Sequence, residues 1–495
     1  IMNMGLYGQL KKDIAPGLEM TAGLRMDYAS YPTAVFNELV YQELGLRTDN
    51  KLQSFILQPR VQFSWDIHNN QTDFLRFGAG IFASDINNYM LINNLTFDGS
   101  NLATIDVRGD AVPTPEFDAY RKDYSSIPSL PDQQLPTINF TGEDAKVPTI
   151  YKANIAYAKL INERLKVGIT GYMTLARNNY TYIERNLVED PYFRLANEAN
   201  RGVYVPAEKI PAANGQPDWK DGRISNKLGR VLELTSMGRV NQFALVIDGT
   251  YRYFLDGSIT ASYTWNDSKD NTSFNGNVAN TATLVQPVKD DPRNLQDISY
   301  SDNQFRHKVV LYGTAPSHWG INVGFRYTGL GGTRYTLRSG GNTNGDFVTS
   351  DNDLAYIFDP NSSQTPEDIR AGIQGILDNP EASQSLKNLI TSYAGQIASR
   401  NAGINRYFGT VDIRVSKNIK FAKTQGIEIS AELFNFGNLL NKEWGVNKSL
   451  GDQALYKVKG FDQASKSFNY AVNSVGATGF SGNPYQVQLG LRYAF

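Results

Sequence analysis

Apolar and polar residues alternate strictly over ten or more positions, again and again along this chain, and that pattern limits its fold more than any other feature. The last segment is the clearest: Tyr485, Val487, Leu489, Leu491, Tyr493 and Phe495 fall on one face, and Gln486, Gln488, Gly490, Arg492 and Ala494 on the other. A period of two sends successive side chains to opposite faces of a strand, so each segment reads as a strand with one apolar and one polar or small face. The same alternation runs through 17–28, 57–67, 243–253, 320–328 and 427–433.

A soluble sandwich and a membrane barrel both alternate in this way. Three features favour the barrel. The segments run to about ten residues or more, which suits a tilted bilayer-crossing strand rather than the usual soluble strand of about five or six. Rings gather at both strand ends. Tyr28, Trp265 and Tyr327 stand far from the tight turns, and Trp65, Tyr253, Trp319 and Tyr493 stand beside a turn or terminus, as two membrane interfaces would select. Short connections at 13–17, 67–72, 161–165, 254–257, 315–319 and 419–425 also alternate with long polar stretches at about 29–53, 85–149, 185–237, 271–302, 336–405 and 441–483. Periplasmic turns and extracellular loops give this order. The expected fold class is therefore all-β: a transmembrane antiparallel β-barrel of about thirteen strands, as six hairpins and a terminal strand. Helical spacing within the long loops predicts short amphipathic helices at 366–378 and 381–399, packed on the barrel rim, with Pro366 at a start and Pro380 as a break.

Composition closes off other classes. No apolar run approaches the ~18 residues of a membrane helix, and mean hydropathy is -0.39. A net charge of -1 gives no basic footprint for nucleic acid. With zero Cys there is no thiolate metal site or Cys nucleophile. The opening Ile1-Met2-Asn3-Met4 carries no basic stretch followed by an apolar core, so a secretion signal is expected to have been removed or to lie upstream.

Chemistry-bearing residues are sparse. The three histidines, His68, His307 and His318, show no acid–base or ligand spacing and read as structural or solvated. Gly329-Leu330-Gly331-Gly332-Thr333 lacks the Gly-Lys-Ser/Thr ending of a phosphate loop. No catalytic set is present, and the chain is not expected to be an enzyme. On the polar strand faces stand Glu19, Arg25, Asp27, Arg60, Asp66, Arg76, Asp248, Arg252, Arg326, Asp412, Arg414, Glu428, Glu432 and Arg492. These are the expected lumen-facing charges, which either line a substrate path and hold a plug or pair across strands as a hydrated wall. One loop clusters Asn342, Asn344, Asp346, Asp351 and Asp353 around Gly345. Hard cations take several oxygens from one tight loop, so these are calcium candidates. Asx and Gly are also ordinary turn residues, and the closing Glu of an EF-hand is missing. No other cofactor is expected.

Several phrases, in order, carry a family resemblance: Gly5-Leu6-Tyr7-Gly8-Gln9 with Leu24-Arg25-Met26-Asp27-Tyr28, Pro59-Arg60-Val61-Gln62-Phe63-Ser64-Trp65-Asp66 with Gly78-Ala79-Gly80-Ile81-Phe82, Val147 to Asn154, Ser262-Tyr263-Thr264-Trp265, Phe434 to Gly445, and the ending Gln488 to Phe495. The chain resembles TonB-dependent outer-membrane transporters, in particular the Bacteroidetes-type subgroup with an N-terminal carboxypeptidase-regulatory-like domain. That resemblance implies the C-terminal part of a barrel of about 22 strands, with a plug and TonB box lying outside this sequence. It further implies location in the bacterial outer membrane, import or binding of a substrate, and Tyr493 and Phe495 as a terminal assembly signal. Implied partners are outer-membrane lipid, the barrel-assembly machinery, TonB through the plug, and other outer-membrane subunits or surface lipoproteins. The competing reading is a non-transporting barrel that serves as a subunit or scaffold of a larger outer-membrane assembly.

Overall fold

A computed structural model describes residues 1–100, 104–105, 116–126, 133–254, 256–276, 278–295, 297–348, 352–422 and 425–494. Thirteen strands form one continuous antiparallel wall in chain order. They are β1 (Met2–Ala15), β2 (Leu18–Ser30), β3 (Gln53–Asp66), β4 (Asp73–Ala83), β5 (Thr149–Asn162), β6 (Leu165–Glu184) and β7 (Val231–Tyr253), followed by β8 (Gly257–Asp270), β9 (His307–Thr314), β10 (Ile321–Leu330), β11 (Phe408–Lys420), β12 (Gly426–Phe434) and β13 (Gln486–Ala494). The wall has the expected number of strands.

Tight turns close one end. Between β1 and β2, Gly17 sits at φ 72, and a Cβ there would stand 2.4 Å from the Asp66 carbonyl oxygen, so only glycine fits. Asp66 itself closes the next turn, its carboxylate accepting from the Asn70 and Gln71 amides. Trp319 and Gly320, both at positive φ, make the two-residue connection that matches strand twist between His318 and Ile321.

Register fixes the faces, because residues directly opposite in an antiparallel pair share one side of the sheet. One row runs Leu18, Trp65, Leu75, Tyr157, Ile169, Ile247, Tyr263, Val309. The other face carries rows such as Arg60, Gly80, Lys152, Thr174, Gln242, Ser268. Every charged strand residue singled out from the sequence falls on this second face. Trp65, Tyr253, Trp319 and Tyr493 lie at the tight-turn end, where Tyr493 stacks on Phe421 at 6.2 Å. Tyr28 and Trp265 lie towards the other end, opposite Phe55 and His307.

At that end the long loops fold into a cap. β6 and β7 run 20 and 23 residues, well past the eight of β9, and carry the wall into the cap. β7 begins at Val231, where alternation alone ended the loop near 237. Its first residues pair in parallel with Ile138–Thr141, a non-local partner invisible to periodicity. A three-stranded sheet joins Leu337–Gly340, Gln453–Asp462 and Ser467–Val472. Two helices, Glu367–Asp378 and Gln384–Ser392, pack against it by Ile369, Ile373 and Ile376 and by Leu386, Leu389 and Ile390. The second helix stops at Ser392, short of the expected 399. Gly395 turns the chain at φ 76, and Gln396–Ile397 then pairs with Tyr356–Ile357. Leu195, Val203 and Val205 from one loop, Leu337 and Ile357 from a second, and Leu455 and Phe461 from a third share a single core. A second cluster beneath it joins Tyr31, Met90, Tyr182, Leu232 and Phe347.

Candidate functional site

Two places gather chemistry: the polar face of the wall and the interior of the cap. On the wall, Arg25 pairs with Asp27 at 2.8 Å. Gln58 donates to the same carboxylate and accepts from Arg60 at 3.2 Å. These side chains, with Tyr31 and Asp85, line a cavity of about 420 Å³ below the cap. Farther along the sheet, Arg414 bridges Glu428 and Glu432, each at 2.7 Å. Glu19 pairs with Lys11 at 2.8 Å. Asp412 accepts from the Asn435 amide, and Asp66 serves its turn. Arg76 lies over the Phe74 ring at 5.6 Å. Asp248, Arg252, Arg326 and Arg492 form no ion pair among the described residues, which leaves part of this face with charge to offer. Phe495 lies outside the described residues.

Inside the cap, Arg201 is wholly buried, with Glu198 at 3.6 Å and Asp353 at 3.9 Å. It also donates to the Leu354 carbonyl. The Tyr470 hydroxyl, from the third loop, donates to Glu198 at 2.6 Å. Burial raises the pKa of Glu198 and of Asp353, Arg201 opposing it in both. Asp346 is pushed up to about 7 by burial and by the nearby charge of Asp353.

Of the predicted Asx cluster, Asn342, Asn344, Asp346 and Asp353 come together, all buried. Asp351 lies outside the described residues. Asn342 serves the turn: its amide donates to the Asp346 carbonyl, and its oxygen accepts from the Gly345 amide. Asp353 Oδ2 accepts from the Thr343 amide and hydroxyl and from the Asn344 amide. Asn352 joins the group, a member that sequence spacing did not single out. No three His, Cys, Asp or Glu side chains gather into a metal cage among the described residues, so any cation here would lean on amide oxygens.

A further groove of about 660 Å³ opens in the cap between Phe97, Leu135, Trp219, Arg230, Leu284 and Phe347. Arg230 lies over the Phe347 ring at 5.2 Å and donates to Asn280 at 2.5 Å. The histidines are all exposed: His307 bonds the Tyr263 hydroxyl at 2.8 Å, His318 packs on Trp319, and His68 stands 3.7 Å from Asp73. Arg201, Glu198 and the groove had no sequence signal, because single charged and aromatic loop residues acquire meaning only once distant loops meet.

Residues 2–454 match the outer membrane beta barrel domain family. The chain belongs to that family and is an outer-membrane β-barrel protein. Among solved structures it is similar to the FrpB iron transporter from Neisseria meningitidis, at 9% identity and TM-score 0.45, covering 100% of this chain and 45% of that one. It is also similar to the copper transporter OprC, at 10% identity and TM-score 0.43, covering 100% and 48%. The outer membrane transporter YddB from Escherichia coli matches at 11% identity and TM-score 0.45, covering 100% and 54%. The chain thus spans about half the length of these structures. No curated protein matches it.

Proposed function

We propose that this chain is barrel wall and cap of a TonB-dependent outer-membrane transporter or receptor. One observation carries the reading. A continuous ladder of thirteen strands separates a largely apolar face from a face bearing the strand charges singled out from the sequence, and a packed cap covers one end. The apolar face meets lipid, and the polar face lines a hydrated interior in which Asp248, Arg252, Arg326 and Arg492 meet a plug or a passing solute. The cap end is extracellular, where the groove beside Trp219 and Arg230 makes the first contact with substrate. Tyr493 and Phe495 end the strand read by the assembly machinery.

The test is uptake by whole cells. Cells with and without the intact protein are fed a mixture of scarce nutrients, with and without a protonophore. Energy-dependent depletion of at least one nutrient only where the protein is present is the expected result. Identical depletion in both strains would remove the transport reading and leave the scaffold reading.

A further inference from the structure

We propose that the lipid-facing surface, at its cap end, holds the phosphate-bearing headgroup of an outer-leaflet lipid, bound by Arg177, Arg239 and Lys269 on β6, β7 and β8. The inference rests on the assignment of the apolar face to lipid and adds to it a specific headgroup site.

The first argument is register. On β7, Arg239, Asn241, Phe243, Leu245 and Ile247 alternate onto one face, and Ile247 belongs to the apolar row. Arg177 pairs directly with Arg239, and Lys269 with Asn241, so both point to the same outward face. Lys269 is thereby a diagonal neighbour of Arg239, within reach of a long side chain.

The second argument is charge. Like charges directly opposite in an antiparallel pair destabilise it, yet Arg177 and Arg239 face each other in this way. Arg177 donates from Nη1 to the Ala176 and Val240 carbonyls at 2.7 and 3.1 Å, which holds its guanidinium over β7. Arg239 is exposed. Lys269 lies over the Tyr300 ring at 5.2 Å, and Arg334 lies over the same ring at 3.8 Å. None of these four cations forms an ion pair among the described residues. Asp267, a carboxylate on the same face, is held by Arg306. An anion seated between Arg177 and Arg239 turns their repulsion into two attractions.

The third argument is position. Tyr151 shares the row of Lys269, Phe243 stands one row towards the midplane and Trp265 two, and rows are two residues, or roughly 7 Å, apart. Tyr151 and Phe243 are 41% and 44% exposed on this face. Outward rings bordered by outward cations mark the level where acyl chains end and headgroups begin. A lipid there lays its chains on Phe243 and Leu245 and its phosphate among the cations. A free anion has only the second of these contacts.

The experiment uses the intact protein, delipidated in neutral detergent micelles and titrated calorimetrically with bisphosphorylated lipid A, dephosphorylated lipid A and inorganic phosphate, each separately. Lipid A is expected to bind at least about tenfold more tightly than either of the others. Losing one cation should weaken lipid A binding roughly fivefold, and Arg239→Gln combined with Lys269→Gln roughly twenty-five-fold. Lys152→Gln, on the opposite face, should leave it unchanged. Each single variant carries the test if the double variant does not fold. Without lipid A, Arg239→Gln should melt no lower than wild type, because it relieves the repulsion with Arg177. The chain has no cysteine, so a fluorophore on Ile247→Cys, quenched by brominated acyl chains, reports separately on the lipid face. Equal binding of dephosphorylated lipid A or inorganic phosphate, or unchanged binding in the variants, overturns the proposal. If quenching persists, the lipid face stands without the headgroup site; if it is absent, both fall.

Discussion

In the wall, Leu489 and Leu491 are 79% and 77% exposed, whereas in the cap Ile373, Leu386 and Leu455 are fully buried. The two regions use the same residue types against different surroundings. The wall needs an apolar outside because its environment is hydrocarbon. Between its two edge strands the backbone groups are satisfied by the strand ladder, so it needs little side-chain core. The cap stands in water and buries its apolar residues inward, as a soluble domain does. A substitution that is harmless in one region should therefore be severe in the other.

The largest expected contrast is at Arg201. Arg201→Met leaves Glu198 and Asp353 buried without their cation and should destabilise the cap by roughly 3–5 kcal/mol. Limited proteolysis should cut the cap loops while the wall keeps its heat-modifiable mobility on gels. A protease-resistant cap in the variant would show that the buried pair is dispensable. The same cluster sets a pH dependence. Glu198 has its pKa raised in the folded state, so its protonated form favours folding. That contribution is fully present below its ordinary value near 4.3 and is lost as pH rises through the raised one. Cap melting temperature in calcium-free buffer should fall over that window, and Glu198→Gln should flatten the curve. An equally steep curve in the variant would assign the effect elsewhere.

The wall answers to the opposite change. Ile247→Arg places a charge on the apolar face and should cost roughly 2–4 kcal/mol near the bilayer midplane. Thr250→Arg, on the polar face, should cost far less. Urea unfolding in lipid vesicles measures both, and equal costs would contradict the assignment of faces. The smallest effect belongs to Arg414→Ala, whose solvated ion pairs should contribute less than about 1 kcal/mol to unfolding in the same vesicles. A larger loss would mean that this pair network is shielded from water.

The contrast also separates what the sequence discloses from what it hides. The wall strands write their faces locally, residue by residue: alternation marks six of them outright, and the spacing of short turns such as Pro16-Gly17 or Trp319-Gly320 supplies the count of the rest. The Asx loop is visible for the same reason: its members are neighbours in the chain. The cap's strands are often two to six residues long, and Leu337–Gly340 pairs in parallel with Gln453–Asp462 across more than a hundred positions. No local period encodes such a partner. Asn352 joins the candidate site through Gln286, from a different loop, so spacing within one loop could not single it out.

Because Leu195, Ile357 and Tyr456 come from three loops and share one core, those loops are not free to diversify separately. Here a substitution that enlarges or shrinks one contribution needs a matching change in another loop to keep the interior filled. Variation among homologues should therefore be correlated at these three positions and looser at exposed tips such as Tyr192 and Ile224. Exchange of a single loop between lineages should fail more often than exchange of all three together.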